Sequence, residues 1–452
     1  MPILRPFRAL RYQPARVPDI SAVLCPPYDV IGPAEQEDLL RRHPFNAVRL
    51  ELPPAAIGSS EGGPHEAVED DDRRYREAAR NLVAWRSEGI LAKDPLPSVY
   101  VHEMRYGTGP GGMPRTARGL IVRLRLEPLE PGSGVRAHER TMSGPKEDRY
   151  RLLRATGTNL SPVVMLHEQP GTDALLDELT IGSPAATASE PTGVEHRLWV
   201  VPAEREGEAA SAGSGGPADR ARKLLQVVES GPLTIADGHH RYETALRYRE
   251  ERGQRRACES DPPYDYVLVL IYGVDAAPAA LATHRVVHDL APVEGFLAVA
   301  EALFDIEMLR GPDELLARMT VGPAEGSSRF GYRGPDGVAL LEVRRERFAP
   351  LLDDTLPEAA RWLDTSLLAA ALGQLTGIGL EDLARGGRVT YLKDPAAAVS
   401  LAAESGDTAF LLDPTPVASV LRVAEAGGVM PQKSTYFYPK APTGLLFNPL
   451  EP

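Results

Sequence analysis

The stretch Pro232-Leu233-Thr234-Ile235-Ala236-Asp237-Gly238-His239-His240-Arg241-Tyr242-Glu243-Thr244-Ala245-Leu246 decides how the chain is read. Its first part, PLTIA (232–236), is a short apolar run that predicts a strand. RYETALRYREER (241–252) spaces apolar and polar residues at a helical period. Asp237-Gly238-His239-His240 lies between them. A glycine at a strand-to-helix turn lets the backbone come close to a ligand. The exposed amides and dipole of the following helix start favour an anion, phosphate above all. His239, His240 and Arg241 add donors and positive charge for a polyphosphate, and Asp237 is placed to hold a metal ion or orient a hydroxyl. The simpler alternative is an N-capping Asp237 beside two ordinary turn histidines. Five such residues together at one junction favour the ligand site.

Working outward, YDYVLVLIYG (264–273) is the most apolar run and predicts a strand central in a sheet. PSVYVHEMRY (97–106) and ARGLIVRLRLE (117–127) predict two further strands, NAVRLEL (46–52) another, and residues 67–88 a helix with Ala78, Leu82 and Trp85 on its apolar face. A helix is expected from about Lys146, then a strand ending near Leu166. Residues 168–194 and 204–220 are rich in small and turn-forming residues and predict exposed excursions. From 291 to 426 short helices and strands alternate, among them FLAVAEALF (296–304), GVALLEV (337–343) and PVASVLRVAEAG (416–427). The tail is turn-rich and aromatic, and Tyr436, Phe437, Tyr438 and Phe447 predict that it packs onto the body. The expected class is mixed α/β, in three regions: 1–131, a core at 132–290 with a flexible insertion at 168–220, and 291–452.

The composition narrows the function. The chain has 452 residues, a formal net charge of −13, 43% hydrophobic and 25% charged residues, the profile of a folded globular protein. An acidic balance is poor equipment for coating nucleic acid. Cys25 and Cys258 are too few for a disulfide framework and lack metal-ligand spacing. There is no secretory h-region and no apolar run long enough to span a membrane, so the expectation is a cytoplasmic protein without a membrane partner. Only six lysines stand against 44 arginines, so a lysine inside a motif draws notice.

Three more segments carry candidate chemistry. His138-Glu139-Arg140-Thr141 precedes Gly144-Pro145-Lys146-Glu147-Asp148-Arg149. Glu139, flanked by positive neighbours, suits a general base or metal ligand, and Lys146 and Arg149 share a helix face from which both reach one anionic group. A salt-bridged helix start is the equal alternative. Gln432-Lys433-Ser434-Thr435 lacks the glycine spacing of a Walker loop, yet a lysine with two hydroxyls in a structured tail suits a carboxylate or phosphate; a docking strand with incidental polar residues is the stronger alternative on local grounds. Thr283-His284-Arg285 follows the most apolar strand and places cations near a ligand, or else supplies a satisfied buried histidine. Cys25-Pro26-Pro27-Tyr28-Asp29-Val30 reads as a rigid turn that could shape a pocket, with a purely structural role the stronger alternative.

The D-G-H-H-R-Y-x-x-A box resembles the nucleotide-binding signature of the ParB/sulfiredoxin-like superfamily. Among its members the archaeal ADP-dependent free-serine kinases are most similar. They carry an upstream His-Glu pair, matched by His138-Glu139; a proline-led apolar strand, matched by Ser161-Pro162-Val163-Val164-Met165; and a C-terminal P-K-[ST]-T segment, matched by Gln432 to Thr435. Over nearly its whole length the chain resembles the prokaryotic family catalogued as domain of unknown function 1015, through CPPYDVI, HERTMSGPKEDRYRLL, ADGHHRYETAL, LATHRVV and PQKSTYFYPKAPTGLLF. The insertion at 168–230 and the N-terminal 130 residues have no clear counterpart in the kinases.

These resemblances imply a ParB/sulfiredoxin-like nucleotide-binding core with added N- and C-terminal α/β elements. They also imply a small-molecule kinase that moves a phosphoryl group from ATP or ADP, with Mg²⁺, to a hydroxylated metabolite, free L-serine first, giving O-phosphoserine. Glu139 would be the base, with Asp237 and His240 catalytic and Asp237 also on the metal. Gly238, His239, Arg241, Lys146 and Arg149 would hold the nucleotide, and Lys433, Ser434, Thr435, His284 and Arg285 the acceptor. The competing expectation is a ParB-like nucleotide-dependent switch, disfavoured by the net charge and by the lack of a helix-turn-helix after the box. A sulfiredoxin-like reductase would need a cysteine where Gly238 stands.

Overall fold

The computed structural model describes every residue except 55–63, 108–112, 140–142, 204–214, 256–259, 291–294, 325, 380–386, 432 and 452, and the side chains of 64–71, 143–145 and 254–255. Cys258 therefore lies outside the described residues, as do Arg140, Thr141, Gln432 and most of the 204–220 stretch. The chain forms two compact units. The first comprises Met1–Ala137, Thr141–Pro278 and Pro439–Pro452; the second comprises His138–Arg140 and Ala279–Tyr438. Region 1–131 and most of 132–290 thus fall in the first unit, whose sheet takes strands from both, while 138–140 and 279–290 fall in the second unit and 439–452 in the first.

That sheet has nine strands. Tyr266–Gly273 runs parallel to Val163–His167 on one side and antiparallel to Arg115–Arg125 on the other, so it is central as its composition predicts. Arg115–Arg125 pairs with Ser98–Tyr106, which pairs with Glu195–Pro202, both antiparallel. On the other flank Leu233–Asp237 lies antiparallel to Val163–His167, and the register slips between Ile235 and Asp237. Val163, Met165, Ile235, Val267, Val269 and Ile271 alternate onto one buried face. Helices Thr172–Leu179 and Pro217–Glu229 contribute Leu175, Leu176, Leu224 and Leu225 to the same core.

One expectation fails here and another is refined. NAVRLEL is not a strand: Val48–Glu51 is a helical turn. The Asn46 carboxamide oxygen accepts from Val48 N at 3.0 Å, and its amide donates to Ala22 and Leu24 carbonyls, so a side chain sets the local turn. The turn buries Glu51 to 1% exposure, where an alternating strand would present it to water. Residues 168–194 are largely exposed and lie within the first unit as expected, but they are more than a loop. Leu175, Leu176 and Leu179 on one helix face pack into the core, and Ala186–Ser189 adds an edge strand to the sheet.

The second unit is built on a six-stranded antiparallel sheet. Its order is Phe304–Met308, Gly337–Val343, Arg329–Gly334, Thr408–Leu411, His284–Val287 and Val389–Leu392. The run FLAVAEALF divides: Phe296–Ala300 is helical and Phe304 opens an edge strand. Phe304, Phe330 and Phe348 pack edge to face in the core with Asp364–Thr376 over them. The tail packs as expected, with Phe437 and Phe447 buried. No helix among the described residues is long and apolar enough to cross a membrane.

Candidate functional site

In the first unit the Asp237 turn is built by three local devices. The register slip at Ala236 re-aims Asp237 at the strand end. Gly238 takes φ +95°, and His239 then opens the helix His239–Arg255, whose first turn closes with Tyr242 N donating to the Gly238 carbonyl at 3.0 Å. A Cβ at Gly238 would stand 3.0 Å from Arg241 Nε. Gly238→Ala is expected to cost about 1–2 kcal/mol, the usual cost of left-handed backbone for an L-residue. Urea unfolding measures the loss, and any ADP-induced rise in Tm should shrink with it.

Asp237 anchors two cations. Oδ2 accepts from Arg241 Nη2 at 2.5 Å, and Oδ1 accepts from Lys440 Nζ. Each of the three side chains is less than a fifth exposed. Burial alone would raise the Asp237 carboxyl, but Lys440 and Arg241 outweigh it and hold the carboxyl well below its usual range. Burial also works to lower both cations, and Asp237, with Asp29 adding to it, leaves them raised. Arg241 Nη1 further donates to the Pro162 carbonyl, tying the helix start to the strand beside it.

Asp237 as a magnesium ligand is not supported. Both carboxylate oxygens are engaged by cations, and no group of three or more His, Cys, Asp or Glu side chains among the described residues is arranged to hold a metal. His240 also differs from expectation: burial, only partly opposed by Glu243, holds its imidazole below the ordinary range, so it is neutral at pH 7 and offers a hydrogen bond rather than a charge. His239 is buried.

Lys146 and Arg149 do not converge on one anionic group. Lys146 Nζ donates to Glu243 Oε2 at 2.9 Å. Arg149 turns inward: Nη1 donates to the Glu51 carbonyl at 2.8 Å, Nε donates to Asp148 Oδ2 at 2.7 Å, and the guanidinium lies 4.0 Å from the Tyr28 ring centroid. Glu51 is buried and needs a nearby cation, which explains the choice. Burial pushes the Tyr28 hydroxyl up to about 12, against the lowering effect of Arg149. Arg149 and Arg241 both line a recess of about 420 Å³ counting its open mouth. Its remaining polar wall is Glu51, Thr158, Asn159, Ser161 and Thr244, and Leu152, Leu153, Leu160 and Val267 form the apolar wall. Apolar walls with a few placed polar groups are the usual make-up of a ligand pocket.

The second unit brings the other two motifs together. Glu139 forms a parallel bridge with Met430, His138 O accepts from Met430 N at 2.7 Å, and His138 Nε2 lies 3.4 Å from Thr435 Oγ1. Lys433 is exposed at φ +58°. The Ser434 hydroxyl is spent within the fold, 2.8 Å from Thr365 Oγ1 and donating to the Pro431 carbonyl at 2.6 Å. His284 Nδ1 accepts from Leu412 N at 3.2 Å, and burial takes this imidazole down to about 4, so it is neutral. Arg285 beside it is buried. Sequence reasoning noted Lys440 among the rare lysines of the tail segment without giving it a role, and passed over Glu51 and Lys393. The shortage of lysines was the available signal for two of them.

The family described as a protein of unknown function, DUF1015, matches residues 4–366. No curated protein matches the chain. Among solved structures the fold is similar to a free serine kinase variant in complex with ADP, at 10% identity and TM-score 0.33 over 70% of this chain and 86% of that one. It is similar to a conserved hypothetical protein from Pyrococcus furiosus, at 12% and 0.32 over 70% and 96%. A C-terminally truncated SbnI from Staphylococcus aureus stands at 10% and 0.32 over 72% and 87%.

Proposed function

We propose that this chain, which belongs to the DUF1015 family, is a phosphotransferase that moves a phosphoryl group from ATP or ADP to the hydroxyl of a small metabolite, with free L-serine the first acceptor to try. One observation carries the reading: a positive-φ glycine and a helix start at the sheet edge, with Arg241 and Lys440 fixed there by one buried carboxylate. Phosphoryl transfer asks a protein mainly for positioning and for neutralising charge on phosphate oxygens. Arg241, Lys440, the Gly238–His240 amides and neutral His240 supply both for the donor. Asp237 orients the two cations rather than touching the nucleotide. In the second unit Glu139 is assigned as the base that takes the acceptor's hydroxyl proton, and the Lys433–Thr435 segment is assigned to the acceptor.

The test is incubation with ATP, ADP or pyrophosphate and a panel of hydroxylated amino and carboxylic acids, followed by phosphorus NMR. A phosphomonoester product from one pairing is expected. Nucleotide binding with no product from any pairing would sink the transferase reading and favour a ParB-like switch.

A further inference from the structure

Glu51 is a buried carboxylate with one oxygen in use. The Ser161 hydroxyl donates to Oε1 at 3.2 Å, and Arg149 Nη1 stands 3.5 Å from the same oxygen. Among the described residues no hydrogen bond reaches Oε2. Charge-assisted bonds usually close to about 2.7–2.9 Å, so Arg149 is a weak partner for this side chain. Its donors are spent elsewhere: Nη1 on the Glu51 carbonyl at 2.8 Å, Nε and Nη2 on Asp148 at 2.7 and 2.5 Å. A carboxylate taken out of water is costly unless donors meet its oxygens.

Glu51 lines the recess of about 420 Å³ described above. The hydroxyls on the same wall have already given away their protons. Thr158 Oγ1 donates to the Thr156 carbonyl at 3.1 Å, Thr244 Oγ1 to the His240 carbonyl at 2.5 Å, and Ser161 Oγ to Glu51. Each hydroxyl oxygen keeps a lone pair. Asn159 spends its oxygen on Leu268 N and the Asn448 amide, and keeps an amide donor. Arg241 gives Nη1 to the Pro162 carbonyl and Nη2 to Asp237. The wall is therefore rich in acceptors and its cations are committed, the reverse of a phosphate site. It suits an uncharged group with several O–H donors and an apolar side against the leucines.

Arg241 lines this recess and also binds Asp237, so the recess adjoins the helix start assigned above to the donor phosphates. Thr244 stands one turn further along the same helix, His239–Arg255. We propose that the recess binds a vicinal diol, with Glu51 Oε2 taking its hydroxyls, and that the diol is the ribose of the phosphoryl donor. A carboxylate on ribose hydroxyls is a device that unrelated nucleotide-binding folds use. That a diol binds rests on the recess; that it is a ribose rests on the phosphotransferase reading.

The experiment is isothermal titration calorimetry of the full chain with ADP, 2′-deoxy-ADP, pyrophosphate and D-ribose. ADP is expected to bind about tenfold to a hundredfold more tightly than 2′-deoxy-ADP, the range for a hydrogen bond to a charged group. Glu51→Met, similar in size but without a carboxylate oxygen, should bring that ratio to about one, and Glu51→Gln should fall between. A merely structural Glu51 would weaken both ligands together and leave the ratio unchanged. Equal affinities in the wild type, an undiminished ratio in Glu51→Met, or binding of none of the four ligands would each overturn the site. Pyrophosphate binding as tightly as ADP would overturn it while leaving the transferase reading intact, with pyrophosphate as donor. D-ribose binding that depends on Glu51, without nucleotide binding, would assign the diol to a free sugar and overturn the ribose. The expected ratios with no phosphoryl transfer from any donor would keep the ribose site and sink the transferase reading.

Discussion

Glu139→Gln is expected to lower turnover by about 10²–10⁴-fold, the usual contribution of a positioned general base, while ADP and ATP bind nearly as before. Glutamine keeps the size and the hydrogen-bonding oxygen of glutamate but cannot take a proton from an acceptor hydroxyl. The split between the two readouts follows from the roles assigned to the groups. The cations assigned to the donor phosphates, Arg241 and Lys440, belong to the first unit and are fixed by Asp237. Glu139 belongs to the second unit, where its backbone is held by Met430. Single-turnover phosphorus NMR gives the chemical step, and the nucleotide-induced Tm shift gives binding. Equal loss of both would mean that Glu139 supports the fold rather than the chemistry.

The strands of the first unit were legible because burial on both faces writes itself as a continuous apolar run, as in Tyr266–Gly273, and because Gly238 marks a turn that few other residues can make. Val48–Glu51 was not legible. Over four residues an alternating pattern does not separate a strand from a helical turn, and the deciding contact is the Asn46 carboxamide. The box, the His-Glu pair and the tail motif were legible as residue types. Their partners were not. Lys440 and Asp237 are 203 positions apart and Arg149 and Glu51 are 98 apart, so only folding decides that these charges meet. The same limit explains why Lys433 drew notice first. Both tail lysines sit among turn residues, but one is exposed and the other is partly buried against the box.

Asp237→Ala is expected to be the most destabilising single change at the site, by about 3–5 kcal/mol, because it leaves two buried cations facing each other without their shared anion. It should also remove the nucleotide-induced rise in Tm, since Arg241 and Lys440 lose the group that orients them. Asp237→Asn, which keeps shape and part of the hydrogen bonding, should fall between the wild type and the alanine variant in chemical denaturation. The wild-type pH dependence follows from the direction of the shift. The folded carboxyl is held below its unfolded value, so its contribution is complete above roughly pH 4, the ordinary carboxylate range, and is lost as pH falls from there toward the depressed folded value. Stability measured from pH 6 down to pH 3 should therefore decline more steeply in the wild type than in Asp237→Asn, which has no proton to take up at this position. Parallel decline in the two proteins would mean that the ion pair with Lys440 and Arg241 contributes little. Lys440→Met supplies the control from the other side: it should cost less than Asp237→Ala, because Arg241 still neutralises the carboxylate, and it should weaken nucleotide binding all the same.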